Sequence, residues 1–408
     1  MALRVDGRLM VGRGRLPDGA VHDPDAKVIS LSDRLLSRQH LRIQTRAGGY
    51  EVADLGSTNG LTVDGQPVDK PRALSDGSIV LFGNHAGVFR RASAAELAAL
   101  DEERARPLGP VVTMSPSFAS TLAKLRRLAV TDADLLFVGE TGAGKEVYSR
   151  AVHAASGRKG PFLAINCAAI PAELVESELY GYVRGAHSTA MQAKAGLIEQ
   201  ADGGTLLLDE IGDMRPALQG KIFRFLQDRL LLPLGATTPR PVDVRVLAAT
   251  SKFGDAVRPD LRARLGSDPI EIPPLRERVE DIAALAAHFG GDALRRLEPA
   301  AFRALHLYAW PLNVRELASA ITRAVAIAGG EPVALEHLPK AVAAALERGA
   351  PIAARRRYRT APSKAELEAL LRDQQGNVAA VAKSLDRQWS VVKKWLRRYK
   401  LRADQFRD

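Results

Sequence analysis

The sequence predicts a multidomain chain: an all-β sandwich, then an α/β P-loop unit with an α-helical lid, then an all-α helix-turn-helix. Three observations carry this. Short polar–apolar alternations broken by turn residues fill positions 1–92. From about position 111, apolar strand-like runs alternate with helical stretches, and one run enters a Gly-rich loop. From position 363 the pattern is compact, helical and basic.

Within residues 1–92, His40-Leu41-Arg42-Ile43-Gln44, Tyr50-Glu51-Val52-Ala53 and Leu61-Thr62-Val63 alternate, while Gly48-Gly49 and Asp64-Gly65 supply turns. A period of two places one face of each strand in a core and the other in water, as in a sandwich or barrel. Residues 93–110 are polar and alanine-rich and read as a partly helical linker. Residues 111–278 read as a parallel α/β sheet, with strand candidates at 135–138, 205–208 and 244–249 between helical stretches. Residues 279–340 are helical and form the expected lid. Residues 341–362, with Arg355-Arg356-Arg357-Tyr358-Arg359, read as a basic linker, and 363–408 as the terminal helical unit. No internal repeat is visible.

Chemistry enters at Gly139-Glu140-Thr141-Gly142-Ala143-Gly144-Lys145, which follows an apolar strand and precedes a helix. That is the setting of a phosphate-binding loop: glycines let backbone N–H groups wrap the phosphates, and Lys145 brings charge to the β and γ oxygens. The general motif continues with a Ser or Thr that ligates magnesium, whereas Glu146 stands here. Taken alone, the loop is also compatible with a Gly-rich strand–helix turn. The run 206–208, which ends in Asp209-Glu210, favours the nucleotide. Asp209 is the expected magnesium-shell residue, and Glu210 the group that polarises the attacking water. The expected reaction is ATP hydrolysis, with ATP and Mg2+ as cofactors.

These segments, together with Asn166-Cys167-Ala168-Ala169-Ile170-Pro171, Glu176-Ser177-Glu178-Leu179-Tyr180-Gly181, Ile272-Pro273-Pro274-Leu275-Arg276-Glu277-Arg278 and the run 310–317, occur in order over some two hundred positions. In this respect residues 111–340 resemble the AAA+ domain of bacterial enhancer-binding proteins, the ATPases that activate sigma-54 RNA polymerase. In that family a Glu follows the loop lysine, as Glu146 does. The resemblance implies that Asn166 restrains Glu210, and that Thr250 and Ser251 occupy the sensor I strand end, with Ser251 replacing an Asn. It further implies that Arg258 and Arg264 are arginine fingers offered to a neighbouring protomer, and that Arg315 is the sensor II arginine of the lid, with Leu312 in place of a glycine. A homo-oligomer, from dimer to hexameric ring, follows from the fingers. By residue type alone, each of these arginines is equally a surface salt-bridge former.

The family loop that engages sigma-54 reads Gly-Ala-Phe-Thr-Gly-Ala. Here Gly185-Ala186-His187-Ser188-Thr189-Ala190 stands in register with it. His for Phe removes a large apolar contact group, Ser188 loses a methyl, and Thr189 removes backbone freedom at a tight turn. Two readings stand: the loop still contacts sigma-54 polymerase, or the ATPase regulates transcription through another polymerase form or as a nucleotide-dependent switch.

At the N-terminal end, Gly12-Arg13, Ser37-Arg38-Gln39-His40, the run 54–60 and Val63-Asp64-Gly65 resemble the forkhead-associated domain, a β-sandwich whose loops read phosphothreonine. A dianionic phosphate is well served by an arginine, a hydroxyl and a backbone-rich loop close together. The resemblance implies that Arg13 and Ser37 bind phosphate, Arg38 adds charge, Thr58 and Asn59 contact the peptide, and His40 braces the loop from within. A phosphothreonine-containing protein is the implied partner.

The tail carries much of the net charge of +11: residues 351–408 hold 15 Lys and Arg against 6 Asp and Glu. Such concentration is the electrostatic footprint of a nucleic-acid binder, or else a solvated charged tail. Residues 376–385, a turn at Asp386-Arg387 and residues 388–401 read as a helix-turn-helix, with Val392, Trp395, Leu396 and Tyr399 at i, i+3, i+4 and i+7 on the core face. Gln388, Trp389 and Ser390 at the helix start are placed for base edges, and Lys393, Lys394, Arg397 and Arg398 for phosphates. The segment resembles the Fis-type domain of enhancer-binding proteins, with Asp386 where a glycine is common. DNA is the expected partner, bound by a pair of such units; a helical oligomerisation unit is the alternative.

Composition agrees with this plan. Hydrophobic residues at 46% and charged residues at 26% are those of a globular protein. The single cysteine, Cys167, excludes an internal disulfide framework and a cysteine-rich zinc site. No run approaches the roughly 20 apolar residues that cross a bilayer, and the first residues lack a signal-peptide pattern, so a cytoplasmic protein without membrane association is expected. Two rivals remain: a DNA-binding switch that uses the ATPase fold as a scaffold, and a general AAA+ remodeller of proteins or DNA.

Overall fold

The computed structural model describes residues 5, 7–13, 26–46, 48–83, 85–171, 173–186, 190–254, 256–266, 268–347, 364–374, 376–384, 392, 395–396, 398–399, 401 and 403–406. The N-terminal unit is two stacked sheets. One runs in the order Ala26–Leu31, Arg8–Arg13, Leu41–Arg46, Gly49–Asp54, Arg72–Leu74, and the other Gln66–Pro67, Leu61–Val63, Ile79–Phe82, His85–Val88. Alternate residues Leu9, Val11, Leu41, Val52, Leu61, Val63 and Val80 meet between the sheets, as the period-two pattern requires. A glycine is needed at position 12, because a Cβ there would lie 1.8 Å from the Arg38 carbonyl oxygen. That close approach brings Arg13 to the 37–38 loop, where its N–H donates to the Ser37 carbonyl at 2.9 Å.

The strand Ile79–Phe82 is buried on both faces. Val80 joins the sandwich core while Ile79 and Leu81 belong to the core of the helical lid, with Ala86 and Val88 beside them. The sandwich is therefore docked on the lid through apolar packing.

The stretch read from the sequence as a linker contains a helix, Ala94–Ala105, opened by a Ser93/Glu96 capping box. Its Ala99 and Leu100 pack on Ala119 and Ala123 of the helix Pro116–Ala129. The buried Glu103 accepts from Arg126 at 2.5 Å. This segment is thus part of the ATPase-fold body.

The central sheet is parallel, in the order Phe162–Asn166, Thr205–Asp209, Arg245–Thr250, Leu135–Val138, Ile270–Glu271. Apolar cores lie on both of its faces, which explains the continuous hydrophobic runs of its central strands. Register sets Asn166 beside Asp209 and Val138 beside Thr250, so the strand ends that carry polar groups share one edge. Arg245, 1% exposed, donates to the carbonyls of Leu128, Ala129 and Ala133, closing off the end of the helix Pro116–Ala129.

The lid holds the helices Ile282–Gly290, Pro299–Leu307, Asn313–Ala328 and Lys340–Glu347. Trp310 is its fully buried pivot: its indole donates to the Leu305 carbonyl at 2.9 Å and meets Tyr308 edge-on at 5.0 Å. In the tail, the helices Lys364–Asp373 and Val378–Ser384 share a core of Leu367, Leu371, Val381, Ala382, Val392 and Leu396. Asn377 caps the second helix by accepting from the Ala380 N–H at 3.1 Å. Trp395 and Tyr399 pack against this core. Among the described residues, no helix is long and apolar enough to cross a membrane.

Removing the pivot tests the lid's packing. Trp310→Ala is expected to cost about 3–5 kcal/mol locally. Amide exchange in 313–328 should then accelerate by about a hundredfold or more; unchanged protection would show that the lid does not depend on this side chain.

Candidate functional site

The Gly-rich loop turns through left-handed backbone at Gly142 (φ +75°) and Gly144 (φ +111°) and delivers the chain into the helix Lys145–Ser156. A Cβ on Gly142 would lie 2.2 Å from the Leu312 carbonyl oxygen, so a side chain is excluded there twice over. The result is a helix N-terminus with free N–H groups, suited to an anion. Lys145 is 6% exposed. Its Nζ donates to the carbonyls of Gly139 (2.9 Å) and Glu140 (3.3 Å) and stands 3.4 Å from Glu210 Oε1. An ammonium folded back onto its own loop in this way can exchange those carbonyls for phosphate oxygens.

Asp209 closes the strand Thr205–Asp209. Burial raises its pKa and neighbouring Glu210 raises it further, against the opposing pull of Lys145. A cation at this carboxylate would relieve both strains. Among the described residues, no cluster of three or more His, Cys, Asp or Glu can hold a metal. A magnesium ion suits the arrangement only as Mg2+ usually binds beside phosphates, with one or two carboxylates and retained waters. The donor set fits that mode.

Glu210 adopts φ +52°, a left-handed conformation that costs energy for a side-chain-bearing residue. Its Oε2 accepts from both the N–H and the hydroxyl of Ser251, each at 2.8 Å. Asn166 lies one strand over, but its Oδ1 accepts from the N–H groups of Ala168 and Ala169, turned to its own loop. The bonds that hold Glu210 come from Ser251 and Lys145. Buried Thr250 donates to the Lys252 carbonyl at 3.2 Å, and its own carbonyl receives the Gly139 N–H. The structure thus gathers Lys145, Asp209, Glu210, Thr250 and Ser251 at the carboxyl edge of the parallel sheet, the usual ligand position in such sheets.

Arg258 is the N-cap residue of the helix Pro259–Leu265, and Arg264 lies in its last turn. Arg258 forks onto Asp260, and Arg264 donates to the Leu226 carbonyl at 2.7 and 3.1 Å. Exposed Arg315 touches the loop through its backbone, its N–H approaching the Gly142 carbonyl at 3.4 Å. Exposed Glu146 pairs with Arg150 one helical turn on.

Three bracing residues were not assigned a task by sequence reasoning. Arg276 makes a two-pronged bond to Glu140, both prongs 2.6 Å. Arg278, buried under the Phe118 ring, donates to the Ala143 carbonyl at 2.7 Å. Asn313 donates to the Thr141 carbonyl at 3.0 Å and accepts from the Leu275 N–H at 2.8 Å. The sequence marks the segment 272–278 as a family motif, but its partners lie some 135 positions upstream and leave no local signal.

In the sandwich, Arg13, Ser37, Arg38, Thr58 and Asn59 line one pocket of about 300 Å³. Ser37 Oγ accepts from the Thr58 N–H at 3.0 Å, and Asn59 donates to the Leu35 carbonyl at 2.8 Å. His40 is fully buried and braces both loops: Nδ1 accepts from the Ser37 N–H, and Nε2 donates to the Gly60 carbonyl. Arg34 also lines the pocket and was missed; an exposed arginine in a turn carries no distinguishing pattern.

Of the 185–190 loop, Gly185, Ala186 and Ala190 are described, closed by a Gly185 N–H to Ala190 carbonyl bond of 2.9 Å. A two-stranded hairpin, Gly181–Tyr182 with Lys194–Ala195, forms its base. His187, Ser188 and Thr189 lie outside the described residues, as do Gln388, Trp389, Ser390, Lys393, Lys394 and Arg397 of the tail; Arg398 is described and exposed.

A Sigma-54 interaction domain matches residues 111–265, an AAA+ ATPase lid domain 276–354 and an FHA domain 9–83. Transcriptional regulatory protein GlrR of Escherichia coli K12 is 37% identical over 314 residues, 73% of this chain and 70% of that protein. Alginate biosynthesis transcriptional regulatory protein AlgB of Pseudomonas aeruginosa is 43% identical over 262 residues, 61% of this chain and 58% of that protein. Among solved structures, NtrX from Brucella abortus in complex with ATP superposes with a TM-score of 0.51 at 29% identity, over 75% of this chain and 73% of that chain. Fold and site together define an AAA+ ATPase-type protein with an FHA sandwich at its N-terminal end. The chain belongs to the family of sigma-54-dependent transcriptional regulators. It spans 52%, 58% and 36% of the length of three curated relatives that it matches over the central region.

Cys167 is buried beside this site, and burial first, then Asp209 and Asp213, push its thiol up to about 12. At pH 8 almost none of it is the reactive thiolate. Native protein should therefore label very slowly with a thiol reagent, and protein unfolded in guanidinium should label at once. Equal rates in the two states would contradict the buried placement.

Proposed function

We propose that this chain hydrolyses ATP and uses the cycle to regulate transcription from DNA held by its C-terminal unit, under control of a phosphothreonine-bearing protein. The observation that carries the reading is the convergence of Lys145, Asp209 and Glu210 on one glycine-lined helix N-terminus. Lys145 neutralises β- and γ-phosphate oxygens. Asp209 would hold a magnesium ion, which would offset the charge that develops on the transferring phosphoryl group. Glu210, released from Ser251, orients and polarises the attacking water. Asn166, by its family position, is the expected restraint on Glu210 during the cycle. Thr250 and Ser251 stand at the sensor I strand end, where Ser251 in place of an Asn weakens the coupling of the γ-phosphate to the moving loops. Arg258 and Arg264 complete the pocket of a neighbouring copy and thereby require a homo-oligomer. Arg315 senses the nucleotide from the lid.

In the sandwich, Arg13, Arg38 and Ser37 take the phosphate, while Thr58 and Asn59 orient the peptide. In the tail, Gln388, Trp389 and Ser390 read base edges and Lys393, Lys394, Arg397 and Arg398 hold backbone phosphates. DNA and polymerase as partners place the protein in the cytoplasm.

The contact with sigma-54 polymerase is assigned to residues 185–190. A second reading is favoured by His187-Ser188-Thr189 standing where an aromatic, a threonine and a glycine serve the family: the ATPase then acts with another polymerase form or as a nucleotide-dependent switch. Pull-down and open-complex formation with sigma-54 polymerase and ATP separate the two. Hydrolysis without open complexes selects the second.

Glu210→Gln is expected to keep nucleotide affinity within a few-fold and to lower turnover by at least a thousandfold; substantial residual turnover would move the catalytic role elsewhere. Specific activity should also climb steeply with protein concentration, since the fingers act between protomers. A rate per protomer independent of concentration would argue against ring assembly.

A further inference from the structure

The nucleotide loop and the FHA domain are fastened to the same short segment. Residues 275–281, two 3-10 turns in succession, carry Arg276 and Arg278, whose guanidinium groups hold Glu140 and the Ala143 carbonyl of the loop. The same turns offer Glu280 and the Glu277 carbonyl to Arg90 of the sandwich, which takes both. Its Nε and Nη2 donate to the two Glu280 oxygens at 3.0 and 2.7 Å, and Nη2 also reaches the Glu277 carbonyl at 2.8 Å. Glu280 is 9% exposed in this pair. The next residue, Asp281, is buried and held by the Thr113 hydroxyl (2.7 Å) and the Met114 N–H (2.6 Å), which anchors the segment at its last residue. Around the pair, Ile79 and Leu81 of the sandwich are buried in the lid core, and Arg303 of the lid donates to the Gly83 carbonyl at 2.7 Å.

From this arrangement we infer that Arg90 is a positioning residue for the nucleotide site: the docked sandwich sets the 275–281 turns, and the turns set the phosphate-binding loop. The inference rests on the ATPase reading and extends it to a residue outside the ATPase fold. A two-pronged, mostly desolvated arginine–carboxylate pair has one good geometry, so its loss leaves Glu280 buried without a partner and displaces the turn. Arg276 and Arg278 then lose alignment with Glu140 and Ala143, and the loop is no longer preorganised for phosphates. Binding suffers before chemistry, because Asp209 stands at the end of its strand and Glu210 is held by Ser251, both outside the loop.

The test uses the full chain with a fluorescent ATP analogue and Mg2+. R90E is expected to weaken nucleotide binding about tenfold, with KM for ATP rising by a similar factor and kcat changing less, within the ~5–150-fold range of coupling between sites. Arg90 Nη1 also lies 3.4 Å from Asp76, so the reversed pair R90E/E280R re-forms the fork against that neighbouring carboxylate and should recover part of the affinity. That rescue also separates positioning from a general loss of folding. Nucleotide affinity in R90E within twofold of wild type, or a tenfold loss that the reversed pair leaves untouched, overturns the inference. Failure of the wild-type chain itself to bind the analogue would instead overturn the ATPase reading beneath it.

Discussion

A loop that grips polyphosphate must keep its N–H groups free for the ligand, so its other atoms have to be held from outside. That constraint organises the central part of this molecule. Glu140 is held by Arg276, the Thr141 carbonyl by Asn313, the Gly142 carbonyl by the Val314 N–H and the Ala143 carbonyl by Arg278. All four supports come from beyond the last sheet strand. The lid is therefore a structural member of the nucleotide site as well as a cover for it.

The two consecutive carboxylates beside the loop illustrate a different economy. Asp209 and Glu210 are consecutive, yet their environments differ. Asp209 sits at the end of a strand with its charge disfavoured by burial, whereas Glu210 steps out through a left-handed backbone and is tied by Ser251 and Lys145. The left-handed step departs from the strict alternation of an extended strand and brings the second carboxylate to Ser251 and Lys145. Ser251 supplies both an N–H and a hydroxyl to one oxygen, so the serine at this strand end has a defined task in the resting geometry.

Legibility in the sequence followed locality. The Gly-rich loop, the apolar strand that ends in two carboxylates and the alternating strands of the sandwich are runs of neighbours, and periodicity exposes them. The five residues assigned to the phosphopeptide pocket come from three short segments, and all of them line it. Contacts between distant positions left no such trace. Ser251 and Glu210 are 41 positions apart, and Arg90 and Glu280 are 190 apart. Two signals were present and went unused. Ser93 and Glu96 have the spacing of a capping box, which marks Ala94–Ala105 as a helix with a defined start. The run Ile79–Phe82 is apolar at every position in a domain of alternating strands, the signature of a strand covered on both faces.

That doubly covered strand has a practical consequence for anyone dividing the molecule. A fragment cut near position 92 would fold its own core around Val80 but would turn Ile79, Leu81, Ala86 and Val88 outward to water. Such a fragment would carry an apolar stripe along a sheet face, with Arg90 stranded at its end, and would be prone to self-association. Keeping the lid with the sandwich avoids the exposure, so the natural unit for handling the FHA sandwich extends well past its last strand.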